Sequence, residues 1–209
     1  MPRIDLAVPF AQKDEAKGLG ARWDGTNRVW YLPDGTNPDP FKKWMPDDQA
    51  ITIRSTSYFI CQSSKPCWRC GEVTQVYGFV LPAGYETLEA DDDDEEAQDH
   101  TSWVKHEDPT ILSYVSDLTS SVASRIMGLS PKFRLDFSKT TESSYWMNHC
   151  ERCGMKQGDF EMFSEPGGAF YPCDSEEAER ITLHHVAEPF GGSGDVSYGD
   201  LFIENMRIA

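Results

Sequence analysis

Two short turns carry the residues best suited to chemistry: Cys67-Trp68-Arg69-Cys70-Gly71 and Cys150-Glu151-Arg152-Cys153-Gly154. A Cys-x-x-Cys turn presents two thiolates from one tight bend, and its amides can hydrogen-bond to the sulfurs. Zinc takes four such ligands in a tetrahedron at ~2.3 Å from each sulfur. The glycine after each second cysteine permits the φ > 0 conformation that closes the turn. A lone pair would serve as well as a redox dithiol, but two glycine-closed copies favour a single four-cysteine zinc site made by Cys67, Cys70, Cys150 and Cys153. Four thiolates on one ion leave no position open for water, so the metal is expected to hold structure and not to hydrolyse anything.

The remaining candidates carry weaker signals. Cys61 and Cys173 are single, and a nucleophilic cysteine needs a base and an orienting group. A set of Cys173 with His184 or His185 and Asp195 is conceivable, though buried thiols without a catalytic role are the expectation. His184 and His185 are adjacent on an expected strand, so they point to opposite faces and cannot share one site. His149 sits beside Cys150, outside an already complete ligand set. The loop Gly191 to Gly194 lacks the lysine and hydroxyl residue of a phosphate loop and reads as a turn. The run Asp91 to Glu96 lacks the spaced ligands and glycine of a calcium loop and reads as solvated, or as bait for a basic partner.

The elements that must position these residues divide the chain at about residue 46. In residues 1–46, Ile4, Leu6 and Val8 alternate as in a strand ended by Pro9. Gln12 to Leu19 is rich in helix formers, and Val29 to Leu32 forms a second strand stopped by Pro33-Asp34-Gly35. Residues 51–209 form the larger domain. A β-prone stretch from Ile51 to Ile60 leads into the first cysteine pair, and a strand from Val76 to Leu81 follows it. Residues 86–108 are acidic and read as a solvated loop. Ile111, Leu112, Val115, Leu118, Val122 and Ile126 recur at helical spacing and predict a helix between Pro109 and Met127. Strands at Phe133 to Phe137 and Tyr145 to Asn148 deliver the second pair. A short acidic helix (Ser175 to Arg180) and a strand (Ile181 to Val186) follow. The fold class is α+β: a small β-α-β unit, then an antiparallel-sheet domain with one main helix, stapled by zinc.

Leu6-Ala7-Val8-Pro9-Phe10, Lys13-Asp14-Glu15-Ala16-Lys17, Leu19-Gly20-Ala21-Arg22-Trp23-Asp24 and Trp30-Tyr31-Leu32-Pro33 together resemble a small domain of unknown function. That domain is found at one end of plasmid primase-type and other mobile-element DNA proteins. The resemblance covers about a fifth of the chain, brings no catalytic residue with it, and implies a mobile-DNA or bacterial-conflict setting. Trp23, Trp30 and Tyr31 fall within it and are expected in its core. The rest of the chain resembles a zinc ribbon whose halves are split by a large insertion, residues 71 to 149.

Charge supplies the functional expectation. The chain has 35 Asp and Glu against 19 Lys and Arg, a formal net charge of −16, and removing the run Asp91 to Glu96 still leaves about −10. Nucleic-acid affinity rests on neutralising phosphates, so direct binding is disfavoured and a basic protein partner is favoured. The chain is expected to be a non-enzymatic, cytoplasmic protein that neutralises such a partner, as an immunity protein or inhibitor of a nuclease-type toxin does. The alternative is an accessory factor of nucleic-acid processing in mobile elements, with a basic stripe drawn from Arg22, Lys42, Lys43, Arg54, Arg69 and Arg152. No stretch approaches the ~20 apolar residues of a membrane helix, and the first residues lack a secretory apolar core.

Overall fold

The computed structural model describes residues 4–6, 8, 12–25, 29–33, 35–44, 51–90, 101–197 and 202–209. The chain divides into two compact units, Met1–Gln49 and Ala50–Ala209. The acidic run Asp91 to Glu96 lies outside the described residues, as do Asp47, Asp48 and Asp99.

The first unit contains β1 (Ile4–Leu6), α1 (Lys13–Gly18), β2 (Arg22–Asp24), β3 (Val29–Leu32) and a six-residue 3-10 segment, Asp39–Trp44. Its sheet has the order β1-β3-β2 and both pairings are antiparallel. The α1 helix carries Asp14 and Glu15 in its first turn and Lys17 in its last, which suits the helix dipole. Leu6, Ala16, Ala21, Leu32, Phe41 and Trp44 form the core, and the Trp44 indole donates to Gln12 Oε1 at 2.6 Å. Strand β2 is an addition to the expected strand-helix-strand order. Its three residues are too few to show a period, and pairing with β3 defines them. Trp23, expected in the core, is 52% exposed, because β2 is the sheet's edge.

The second unit is built on a nine-stranded sheet. Its strands are β4 (Ile53–Ser55), β5 (Tyr58–Pro66), β6 (Val73–Leu81), β7 (Glu86–Ala90), β8 (Thr101–Lys105), β9 (Thr110–Leu118), β13 (Thr182–Val186), β14 (Phe190–Val196) and β15 (Arg207–Ile208). They lie in the order β15-β13-β5-β6-β9-β14-β4-β7-β8, and every pairing is antiparallel except that of β13 with β15. A separate sheet has the order β10-β11-β12, from Phe133–Ser138, Ser143–His149 and Lys156–Gln157. Helices α2 (Ser120–Leu129) and α3 (Ser175–Ala178) complete the regular elements, with a π-helical turn at Phe160–Ser164.

Both faces of the large sheet are covered at its centre. Tyr77, Phe79, Leu81, Leu112 and Val115 face one core, closed by Val122, Ala123 and Ile126 of α2 and by Phe133. Val76, Val80 and Ile111 face the other, closed by Met162, Phe163, Phe170, Ile181 and Met206.

Three segments fold differently from expectation. The stretch from Pro109 to Met127 is a strand followed by a helix, not one helix. A strand buried on both faces places apolar residues at neighbouring positions, and Ile111, Leu112, Val115 and Leu118 then also satisfy helical spacing. Residues 86–108 are not a loop throughout: β7 and β8 form an antiparallel hairpin, with Leu88 opposite Trp103, and Arg54 stacks over the Trp103 ring at 4.1 Å. Gly191 to Gly194 is not a turn but the middle of β14. A side chain is excluded at Gly192 and Gly194, since a Cβ at Gly192 would lie 2.9 Å from Asp117 O and one at Gly194 2.9 Å from Ser113 O. Small residues in this strand mark close backbone approach.

Candidate metal centre

Each cysteine turn caps a hairpin. Cys67 to Glu72 joins β5 to β6, and Cys150 to Met155 joins β11 to β12. The two turns share one hydrogen-bond pattern. Cys67 N donates to Glu72 O at 2.8 Å and Gly71 N to Cys67 O at 2.8 Å; Cys150 N donates to Met155 O at 2.8 Å and Gly154 N to Cys150 O at 2.9 Å. Gly71 (φ 74°) and Gly154 (φ 70°) are left-handed, the conformation their position after the second cysteine requires.

The four sulfurs converge, all within 4.8 Å of one another. Cys67 Sγ lies 3.7 Å from Cys153 Sγ, and Cys70 Sγ lies 3.7 Å from Cys150 Sγ. Four sulfurs ~2.3 Å from a central ion at tetrahedral angles are ~3.8 Å apart, so this spacing fits one metal ion. Each turn contributes one buried cysteine (Cys67, Cys150) and one exposed cysteine (Cys70, Cys153).

Two of the thiols, Cys67 and Cys150, are shifted toward ionisation. Burial opposes it at Cys67, yet the amides of Cys70 and Arg69 and the thiols of Cys150 and Cys153 outweigh burial and hold it down to about 6. The amide of Cys153 does most to hold Cys150 below its ordinary value. Cys70 is favoured by the Glu72 amide, but burial and its three thiol neighbours push it up to about 12. Like charges this close cannot all persist, and a bound cation removes that conflict.

Bonds outside the thiols hold the two turns in place. The side chain of Asn148 makes a two-way bridge to Tyr77, accepting from its N at 2.8 Å and donating to its O at 2.8 Å. Glu151 N donates to Thr74 Oγ1 at 3.0 Å, the Trp68 indole donates to Lys156 O at 2.8 Å, and Arg152 pairs with Glu72. Gln157 Nε2 donates to Cys67 Sγ at 3.3 Å. His149, expected beside the ligand set, is buried. Its Nδ1 lies 3.1 Å from both Lys132 O and Met147 O, and its Nε2 lies 3.0 Å from Asp136 Oδ2. The Lys156 ammonium, first, and the His149 ring hold the Asp136 carboxyl well below the usual range against partial burial. Sequence reasoning missed Asn148, Gln157 and Asp136. Only proximity in sequence to Cys150 and Cys153 hinted at the first two, and nothing hinted at Asp136.

The other candidates are not brought together. His184 Nε2 meets Gln62 Oε1 at 2.9 Å, while exposed His185 tilts against the Phe59 ring. Their strand, β13, lies four places from the β14 strand of Asp195, roughly 19 Å at ~4.8 Å per strand. Among the described residues no hydrogen bond or ion pair joins Cys173 to either histidine or to Asp195. Cys61 is buried and its thiol is pushed up by that burial, whereas Cys173, expected to be buried, is exposed. Of the basic stripe, Arg54 and Arg152 pair with Glu86 and Glu72, and the side chains of Lys42 and Lys43 lie outside the described residues. No helix of the described residues is long and apolar enough to cross a membrane.

Comparison with known proteins adds information on about a quarter of the chain. No solved structure matches this chain. Two proteins, each named DNA primase TraC, from Escherichia coli, are 60% identical to it, one over 53 residues (25% of this chain) and one over 39 residues (19%). The chain spans only 5% and 3% of their respective lengths. Residues 3–46 match the domain of unknown function DUF5710.

Proposed function

We propose that Cys67, Cys70, Cys150 and Cys153 hold one structural zinc ion, and that the protein so stapled is a non-enzymatic interaction module for a basic protein partner. The convergence of four thiols at tetrahedral spacing carries the first part. A complete thiolate shell favours zinc among the common divalent ions and leaves it no catalytic position. When bound, the ion joins the hairpin of the nine-stranded sheet to the hairpin of the three-stranded sheet. The Asn148–Tyr77 and Glu151–Thr74 bonds then align the two turns, and Gln157 orients the Cys67 sulfur.

The second part rests on a net charge of −16. A field of that sign accelerates encounter with a basic partner and sets carboxylates against its lysines and arginines. A nuclease-type toxin is a partner of that chemistry. The test is capture from lysate on the purified full chain at low salt, with elution by rising salt. Stoichiometric elution of a basic nuclease or similar protein supports the reading, and its absence, with nucleic acid or replication proteins in its place, overturns it.

One observation favours a second reading, an accessory role in nucleic-acid processing. Residues 3–46, the segment that matches DUF5710, contain seven Lys and Arg against six Asp and Glu. The acidic excess therefore belongs to the rest of the chain, and the charge argument against nucleic acid does not apply to this segment. Salt-sensitive binding of single-stranded DNA by the full chain, lost on deleting residues 1–46, would support it.

A further inference from the structure

Strand β9 is interrupted at Tyr114. Asp195 of β14 pairs with Ser113, and Ser193 pairs with Asp117, so Tyr114, Val115 and Ser116 stand opposite Gly194 alone. The extra residues are accommodated by a left-handed backbone at Tyr114 (φ 48°), an uncommon conformation for a bulky side chain. Gly194 is required opposite, since a Cβ there would sit 3.0 Å from Val115 Cα.

A single carboxyl holds this bulge. Asp159, at the start of the π-helical turn, is 3% exposed, and its Oδ2 accepts the Tyr114 N–H at 2.8 Å. Its other oxygen, Oδ1, is buried without a hydrogen-bond partner. The titratable groups facing it are Tyr114 on β9, Tyr145 on β11 and Asp195 on β14. The two tyrosine rings meet edge to face at 5.3 Å, and the Asp159 amide is hydrogen-bonded to the Tyr145 hydroxyl. Among the described residues no Lys, Arg or His forms an ion pair with Asp159. An ionised carboxylate in this place has one desolvated, unpaired charged oxygen and a second acid nearby, whereas the neutral acid leaves only an uncharged group unpaired at Oδ1 and is not repelled by Asp195, the smaller cost.

We propose that Asp159 is a proton-operated clamp on the β9 bulge, closed on Tyr114 while its carboxyl carries a proton and opened when that proton passes to solvent. Opening hydrates the carboxylate and relieves Tyr114 of its left-handed conformation, loosening β9 between two buried faces of the sheet. Burial, aided by the charge of Asp195 and opposed by the Tyr114 amide, moves this carboxyl up to about 7, so the clamp works within the physiological range. An aspartate without such surroundings, as in an unfolded chain, ionises near the ordinary value of 3.8. Below that value both states are protonated and the group contributes nothing to pH dependence. As pH rises from 3.8 to about 7 only the unfolded chain ionises, so stability falls, and above about 7 the full loss is present.

Carboxyl-carbon NMR titration of the full chain, with denaturation of the wild type, Asp159→Asn and Asp195→Asn chains from pH 5 to 8, tests this. The Asp159 carbon is expected to titrate near 7, and lower in Asp195→Asn, while hydrogen-exchange protection of the Tyr114 amide falls over the same range. Relative to Asp159→Asn, the wild-type folding equilibrium constant is expected to fall by roughly two orders of magnitude across that series. An Asp159 carbon that titrates near 4 overturns the proposal. So does a constant stability difference between wild type and Asp159→Asn. If Asp159→Asn does not fold, the wild-type titration decides alone.

Discussion

The side-chain amide of Gln157 donates to the sulfur of Cys67 across 3.3 Å, joining the last strand of the small sheet to the first cysteine turn of the large one. Hydrogen bonds to a coordinating sulfur fix its orientation and moderate its charge. Gln157→Leu is therefore expected to keep the fold and weaken metal retention by roughly 10–100-fold. Competition with a chromophoric chelator measures this; unchanged affinity would show the contact to be incidental.

Elemental analysis should return one zinc per chain. In Cys150→Ser the remaining three thiols lose the geometry of a closed site. Because metal binding and folding are coupled, the variant should lose both the ion and most of the cooperative unfolding of the second unit. Retention of zinc with wild-type stability would refute the assignment.

Asp136 gives the protein an acid-sensitive contact. Its folded-state carboxyl lies below the unfolded value, chiefly through Lys156, so its contribution is present above about pH 4 and is lost as pH falls below that. Asp136→Asn should cost about 1 kcal/mol at pH 7, a figure kept small because the side chain is 30% exposed and partly screened. The difference from wild type should be smaller at pH 2 than at pH 7. Denaturant titration at the two pH values reads it.

Gly192→Ala separates a strand from a turn at this position. The new methyl would meet Asp117 O and the Phe190 ring, both at 2.9 Å, in a packed sheet. A loss of about 1–3 kcal/mol is expected, as for other overpacked sites. A thermal-denaturation midpoint equal to wild type would mean that β14 yields freely there.

The sequence alone determined the cysteine turns, because ligand type, spacing and the closing glycines are local and chemically restrictive. It also placed strands over Val76 to Leu81 and Tyr145 to Asn148, where β-branched and aromatic residues are concentrated, and it carried the likeness of residues 3–46 to a known domain. Tertiary structure decided what depends on partners distant in the chain. The segment from Ile111 to Leu118 became a strand because both of its faces are buried, which removes the alternation that identifies a strand. Gly192 and Gly194 lie in a strand where neighbouring backbone leaves no room for a Cβ, a fact invisible in a glycine-rich run. Asp136 and Asp159 acquired their shifted protonation from groups that only folding sets beside them: Lys156 and His149 for the one, burial and Asp195 for the other. Net charge was legible in full, but its distribution over a surface is a property of the folded chain.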